Sequence, residues 1–382
     1  MEIRRLHHGL DGLDITFQGC VGVGLLSLLG RAKEVAQERK QPEHAAYKGL
    51  EFSVLPTGVS GYSFVVDTGP DGEKWFFAKS SKRDGWNVRV SVSSMSLALY
   101  GYTAVKDRIW ERLECFGAYI LDHSVSRVDY ACDFEAPDFQ IKPECVIAHW
   151  RMTQREYVET EKSGEFHIVR QSRKINSLTI GRMPGRQVII YDKRREVIDR
   201  KKTYWWGIWD VPKDTQVWRV EVRAGKRELK DKWNVTTLDD LEGNLPQIVG
   251  SMLADIRLHD ADQTDSNVSR QELHPLWTSV TEAALRPFAE DVIAPDPEPI
   301  ILETQSQMQD RFMGLVNGLT ASLSVITGAM DGDLPDDLGE RLMASINAHV
   351  KANKSKFIDS QRRARQRLKF VVDPDAWSVP TM

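Results

Sequence analysis

Three short stretches of the chain carry side chains with chemistry to offer. Ser126 to Phe134 reads SRVDYACDF, and as a strand it puts Asp129, Ala131 and Asp133 on one face and Val128, Tyr130 and Cys132 on the other. Carboxylates in this phase on an otherwise apolar strand are costly to desolvate unless they share a cation. Trp218 to Arg223, WRVEVR, likewise puts Arg219, Glu221 and Arg223 on one face. R-V-[DE] thus occurs twice, and strands pairing side by side would bring Asp129 and Glu221 together. Between them lies Gln187 to Tyr191, whose period of two aligns Ile189 and Tyr191 with Lys193.

Carboxylate oxygens are hard ligands suited to Mg²⁺ or Mn²⁺, and such an ion polarises a phosphodiester. A phenol with the ordinary pKa of about 10 is a poor nucleophile at neutral pH unless a cation or base helps remove its proton. Tyr191 beside Lys193 and a metal meets that need, and the product is a phosphotyrosine. A packed tyrosine with a solvated basic edge, next to carboxylates in ordinary salt bridges, fits the same residues. Both readings stay open at the level of residue types.

The elements that must position these groups can be read from periodicity. NSLTIGRMPGRQVIIYDKRRE, Asn176 to Glu196, is two apolar runs around a Gly- and Pro-rich turn, a β-hairpin. Asp14 to Phe17 reads as a first strand and Leu25 to Arg39 as a helix. Four strands follow, Glu51 to Leu55, Tyr62 to Asp67, Lys74 to Ala78 and Trp86 to Val92, as in an antiparallel meander. Thr103 to Phe116 is an amphipathic helix. Pro143 to Arg151, Arg194 to Lys202, Lys226 to Trp233 and Leu238 to Leu258 are also expected to be helical, the last broken at Pro246. APDPEP at 294 to 299 closes an acidic stretch with the character of a linker. Beyond it come helices over Leu302 to Met330 and Leu338 to Ala352, then a basic tail. No internal repeat is visible.

The expected architecture is α+β: an antiparallel-sheet domain with flanking helices over 1–260, an acidic linker over 261–300 and a mostly α-helical region over 301–382. Every candidate for chemistry lies before residue 235.

The net charge of -4 conceals a strong asymmetry. Asp255 to Asp310 holds twelve acidic residues against three arginines. Lys162 to Lys202 holds twelve basic against four acidic, and Lys351 to Lys369 eight against one. Basic patches separated by an acidic belt suit a protein that touches a polyanion in defined places. Arg182 and Arg186 at the hairpin tip, with Arg194 and Arg195 after it, are candidates for phosphate contacts. Trp205, in TYWWGIWD, is a candidate for stacking on an unpaired base, with core filling as the alternative.

The four cysteines are widely spaced with no C-x-x-C pair, which supports neither a disulfide framework nor a structural zinc site. With no apolar run long enough for a membrane span or a signal peptide, a cytoplasmic location without membrane contact is expected.

The order R-V-D-Y-A-C-D-F, then I-I-Y-D-K-R-R-E, then W-R-V-E-V-R resembles the replication initiation factors of plasmids and phages known as the Rep_trans family, which includes rolling-circle initiators and related relaxases. Val88 to Gly101, VRVSVSSMSLALYG, resembles the family segment with an extended strand and a Ser/Gly turn. The likeness covers roughly residues 10 to 260. It implies an HUH-nuclease-like sheet without the His pair, because no H-x-H exists here. It also implies nicking and religation of origin DNA through a 5′-phosphotyrosine on Tyr191, with Lys193 steadying the phosphate and Mg²⁺ or Mn²⁺ held by Asp129 and Glu221. Asp133 and Glu196 are further ligand candidates. The implied partner is origin DNA, as a hairpin or single-stranded nick site. A host helicase and a second copy of the chain are further partners to consider. Relaxase action and non-enzymatic, sequence-specific DNA-binding regulation are the rival functions. The turn GRMPGR departs from the Gly-Ser run common in the family.

Overall fold

The structure is a computed structural model that describes residues 3–79, 82–148, 166–171, 174–260, 271–284, 297–326 and 338–368. The chain divides into two compact units, Met1–Asp296 and Pro297–Met382.

The first unit is built on one sheet of eleven strands in which every neighbouring pair is antiparallel. In chain order its strands begin with β1 (Arg4–Cys20), β2 (Glu43–Tyr47), β3 (Leu50–Val54), β4 (Phe64–Asp67), β5 (Glu73–Phe77) and β6 (Val88–Val92). They continue with β7 (Tyr119–Glu135), then, after β8 (Val146–Ala148), with β9 (Phe166–Gln171), β10 (Lys174–Gly181), β11 (Arg186–Asp192) and β12 (Val217–Gly225). Across the sheet the order is β2-β3-β4-β5-β6-β1-β7-β12-β11-β10-β9. β8 pairs separately with β13 (Ile256–Leu258).

This order contains a repeat of path that the sequence does not show. β1 and β7, each 17 residues long, lie side by side at the centre. After each of them the chain runs out to an edge and meanders back, until its last strand, β6 or β12, pairs with the strand that began the half.

Period-two alternation gives the sheet one apolar face. Leu13, Ile15 and Phe17 of β1, Val88 and Val90 of β6, Val128, Tyr130 and Cys132 of β7, Val188 and Ile190 of β11, and Val220 and Val222 of β12 all join one buried core. Helices complete it: α1 (Val23–Arg39) with Leu25 and Leu29, and α2 (Ser94–Cys115) with Val105, Ile109 and Leu113. Ser93 caps α2 by accepting from the Ser96 N–H, and Gly101, at φ 75°, interrupts it. Two shorter helices follow β11: α3 (Lys193–Arg200), capped by Asp192, and α4 (Tyr204–Trp209). α5 (Leu238–Asp255) starts in a capping box between Thr237 and Asp240 and adds Leu241, Leu245, Ile248 and Met252 to the core.

Several expectations are corrected. Pro143 to Arg151 is not a helix: Pro143–Cys145 is a single 3₁₀ turn leading into β8, and residues 149–151 lie outside the described set. Lys226 to Trp233 is helical over the expected span, with a π-helical turn, Glu228–Lys232, at its middle. The helix from Leu238 runs through Pro246 without a break and stops at Asp255, since Ile256–Leu258 is extended and paired with β8. Within the expected linker, α6 (Pro275–Ala284) delivers Leu276, Trp277 and Val280 to the core, so the first unit reaches 296. Its neighbours 261–270 and 285–296 are outside the described residues.

In the second unit, α7 (Pro297–Ile326) takes in the Pro-rich end of the expected linker as its first turn, and α8 (Leu338–Ala352) and α9 (Lys354–Arg367) follow. Among the described residues no helix is long and apolar enough to cross a membrane.

Candidate functional site

Opposite the core, the sheet presents the polar phase of β7, β12 and β11. Register sets Asp133 beside Arg219 and Asp129 beside Arg223, and on the next strand Tyr191 beside Arg219 and Ile189 beside Glu221. Asp129 and Glu221 are therefore diagonal neighbours on adjoining strands, as the R-V-D and R-V-E phases predict.

Tyr191 stands at the centre of the row. Its hydroxyl donates to Glu221 Oε2 at 3.1 Å and accepts from Lys193 Nζ at 3.5 Å. Burial, then the Glu221 carboxylate, push the phenol well above its ordinary pKa. Lys193 is 1% exposed; burial and then Arg219 lower its pKa. It donates to Glu196 at 2.8 Å, and Lys202 reaches that same carboxylate at 2.8 Å. The two lysines hold Glu196 below the usual carboxylate range despite its burial.

Asp129 accepts both arms of Arg127, at 2.8 and 2.6 Å, while Arg223 donates to Glu221 at 2.6 Å and sits 3.9 Å from Asp129. Burial raises the Asp129 pKa to about 6, with nearby Glu221 adding to the rise and Arg127 opposing it. Gly12 of β1 makes room for this carboxylate, because a Cβ there would stand 2.9 Å from Asp129 Oδ2.

The deep end of the row is organised by Arg219, which has no exposed surface. Its guanidinium clasps Asp133 in a two-pronged pair at 2.5 and 2.7 Å and reaches Asp11 at 2.5 Å. Trp209 donates its indole N–H to Asp133 at 2.8 Å. Burial alone would raise the Asp11 pKa; Arg219, aided by Lys193 and Lys202, brings it to about 2. Trp205 lies beneath the cations, its ring 4.4 Å from Arg219 and 4.9 Å from Lys193, with His7 edge-on at 5.2 Å. Burial lowers the His7 pKa to about 4.

Two expectations change here. Asp133 does not share a cation with Asp129: Arg219 and Trp209 take both of its oxygens in a fully buried pocket, so its role is to fix Arg219. Trp205 is 0% exposed and forms the floor under Lys193, which leaves no face for an incoming base.

The basic candidates are dispersed. Arg182 is exposed at the hairpin tip, next to a cis Met183–Pro184 bond. The tip is no free finger, since the Gly225 N–H bonds to Gly185 O at 2.7 Å and the Arg227 N–H to Pro184 O at 3.1 Å. Arg186 pairs with Asp255 at the end of α5. Arg194 donates to the Lys213 carbonyl at 3.0 Å, and Arg195 lies 3.5 Å from Asp199. His123 accepts the Leu238 N–H at 3.1 Å and serves the start of α5. The side chain of His167 is outside the described set.

No group of three or more His, Cys, Asp or Glu side chains among the described residues is arranged to hold a metal ion. The donors that suit a hard cation are the pair Asp129 and Glu221. Both are balanced in this structure by Arg127 and Arg223, whose side chains are 37% and 29% exposed.

Sequence reasoning missed Asp11, His7 and Gly12, and it read Trp209, with Trp205, as a base-stacking or core residue. It placed Arg219 and Arg223 on the correct face and gave neither them nor Arg127 a role.

No family model matches the chain, and no curated protein does. Among solved structures, it is similar to the rolling circle replication initiator protein from Geobacillus stearothermophilus, at 16% identity and a TM-score of 0.40, over 75% of this chain and 99% of that one. At that distance the likeness carries no role across to these residues.

Proposed function

We propose that this chain nicks and religates DNA as a rolling-circle replication initiator, with Tyr191 as nucleophile. The observation that carries the reading is the Tyr191 hydroxyl, bonded to Glu221 Oε2 at 3.1 Å with Lys193 Nζ at 3.5 Å, on a polar sheet face beside Asp129. The order of the three motifs and the basic segment around them support it.

In this reading Glu221 accepts the phenol proton as the Tyr191 oxygen attacks phosphorus. The new bond is P–O(Tyr191), the bond broken is P–O3′, and the 3′ oxygen leaves with a proton from solvent. Lys193 compensates the charge that builds on the phenolate and the phosphate oxygens. Religation reverses the step. Asp129 and Glu221 are the residues that would hold Mg²⁺ or Mn²⁺, which when bound supplies Lewis-acid polarisation of the phosphodiester. Arg127 and Arg223, partly exposed beside the two carboxylates, are the cations that would meet the DNA backbone. Most of the affinity comes from phosphate contacts and falls steeply with salt.

A labelled single-stranded pool incubated with the protein and Mn²⁺ is expected to give a covalent adduct that disappears in Tyr191→Phe. Nicking that survives this substitution sinks the nucleophile assignment. A second reading, a DNA-binding regulator without catalysis, is favoured by one observation: each carboxylate of the row already has an arginine or lysine partner. Under it, Asp129→Ala and Glu221→Ala leave DNA affinity intact and there is no adduct to lose.

A further inference from the structure

On the core side of β11, one residue beyond Tyr191, the structure holds a cavity of about 240 Å³. Asp192 and Trp218, register partners at the ends of β11 and β12, line it, together with Phe139, Gln140, Asn176 and Gln216. Phe139 stands edge-on to Trp218 at 5.1 Å, so the rings make two aromatic walls. The indole nitrogen of Trp218 is buried without a hydrogen-bond partner, in a residue only 5% exposed. That nitrogen has no surface open to the cavity, so what Trp218 offers there is the apolar part of its ring. Among the described residues no side-chain hydrogen bond engages the amides of Gln140, Asn176 or Gln216 either.

We propose that this cavity receives one unpaired nucleobase of the DNA strand bound at Tyr191, an inference that rests on the DNA reading above. A base has an aromatic face to lie against an indole and an edge of alternating donors and acceptors, the pattern that Asn and Gln amides match. The lining contains no cation and one carboxylate, which suits a base and repels a phosphate. Successive residues of a strand point to opposite faces, so Tyr191 and Asp192 put the phosphate site and the base site on either side of one strand end. A single strand passing over that end places its scissile phosphate at Tyr191 and a neighbouring base in the cavity. The cavity then selects the nucleotide next to the nick, while Tyr191 cuts without regard to base.

The test measures binding of full-length protein to fluorescent twelve-nucleotide homopolymers of dA, dC and dT, and to an abasic strand of equal length. Wild type is expected to prefer one base by roughly tenfold, the scale of one stacked and hydrogen-bonded base. In Asn176→Ala/Gln216→Ala, two partly exposed positions, that preference collapses while affinity for the abasic strand is unchanged. Trp218→Leu, which removes the aromatic wall, weakens the preferred base and leaves the abasic strand unchanged. A preference that survives the double substitution, the absence of any preference in wild type, or a parallel loss of abasic binding overturns the base site and leaves the nicking reading standing. Failure of wild type to bind any strand, at low salt and with Mn²⁺, overturns the DNA reading and this inference together. Free dAMP, dCMP and dTMP are tested in competition. A mononucleotide that binds with the same preference and is not displaced by the oligomers assigns the cavity to a free nucleotide, which also overturns the proposal.

Discussion

Arg219 is the residue on which the polar face depends. It neutralises Asp11 and Asp133 at once inside the protein, where an unpaired carboxylate has no water to fall back on. Arg219→Met is expected to destabilise the fold by about 3–5 kcal/mol, measured by urea unfolding. Arg127→Ala, which takes the partly exposed partner from the buried Asp129, should cost less, about 1–3 kcal/mol. Equal losses would mean that burial does not set the worth of these pairs. His7 gives the same region a pH signature. Its pKa falls from 6.5 in the unfolded chain to about 4 in the fold, so the folded state prefers the neutral ring. That preference contributes stability in full above pH 6.5 and loses it as pH falls through 4. His7→Gln should remove this part of the acid sensitivity, a difference on the order of 2 kcal/mol between pH 7 and pH 4. Parallel wild-type and variant profiles across that window would refute it.

Among the elements, β1 shows what alternation can reveal and what it hides. RVDYACDF and WRVEVR keep a strict period of two, so the faces of β7 and β12, and with them the Asp129 and Glu221 diagonal, are legible in the sequence. β1 is 17 residues long, yet only Asp14 to Phe17 is evident as a strand. Its pairing with β7 shifts register between Arg5 and His7 and between Leu10 and Gly12, and each irregularity breaks the alternation. His7, Asp11 and Gly12 all lie within that interrupted run, which is why they escaped. α6 was hidden for another reason: its apolar turn is set in an acidic stretch whose average composition reads as a linker. Gly12 is the element's contribution to the candidate site. Gly12→Ala should push the Asp129 carboxylate off Arg127 and lower Mn²⁺-dependent nicking by roughly tenfold or more, since such centres tolerate little misplacement. The accompanying stability loss is expected to stay near about 1 kcal/mol in a urea melt. Full activity in the alanine variant would show that the space beside Asp129 is not used.

At the scale of the whole molecule, the boundary of the first unit is a consequence of burial. Leu276, Trp277 and Val280 enter the core, and the Trp277 indole donates to the Leu253 carbonyl at 3.1 Å. A chain ending at residue 296 should unfold cooperatively by circular dichroism. One ending at residue 260 should lose roughly 5 kcal/mol, from three large apolar side chains at about 1.5–3 kcal/mol each. Equal stability of the two would return the boundary to 260. The repeated path of the sheet was invisible in the sequence because it conserves connection order and not residue type: in the first half the strands that correspond to β11 and β12 are β5 and β6, and they carry no tyrosine or paired carboxylates in that phase.

That path also fixes an order of assembly. A ribosome releases all of β1 to β6, with both helices of that half, before it has made β7, and domains tend to fold as they emerge. For that interval one long margin of β1 has hydrogen-bonding groups and no neighbour, the kind of margin on which chains join one another. The remedy is encoded in the strand that comes next: β7 matches β1 in length and covers it nearly end to end. Synthesis rate between residues 92 and 135 therefore governs how long the nascent chain stays open to the wrong partner.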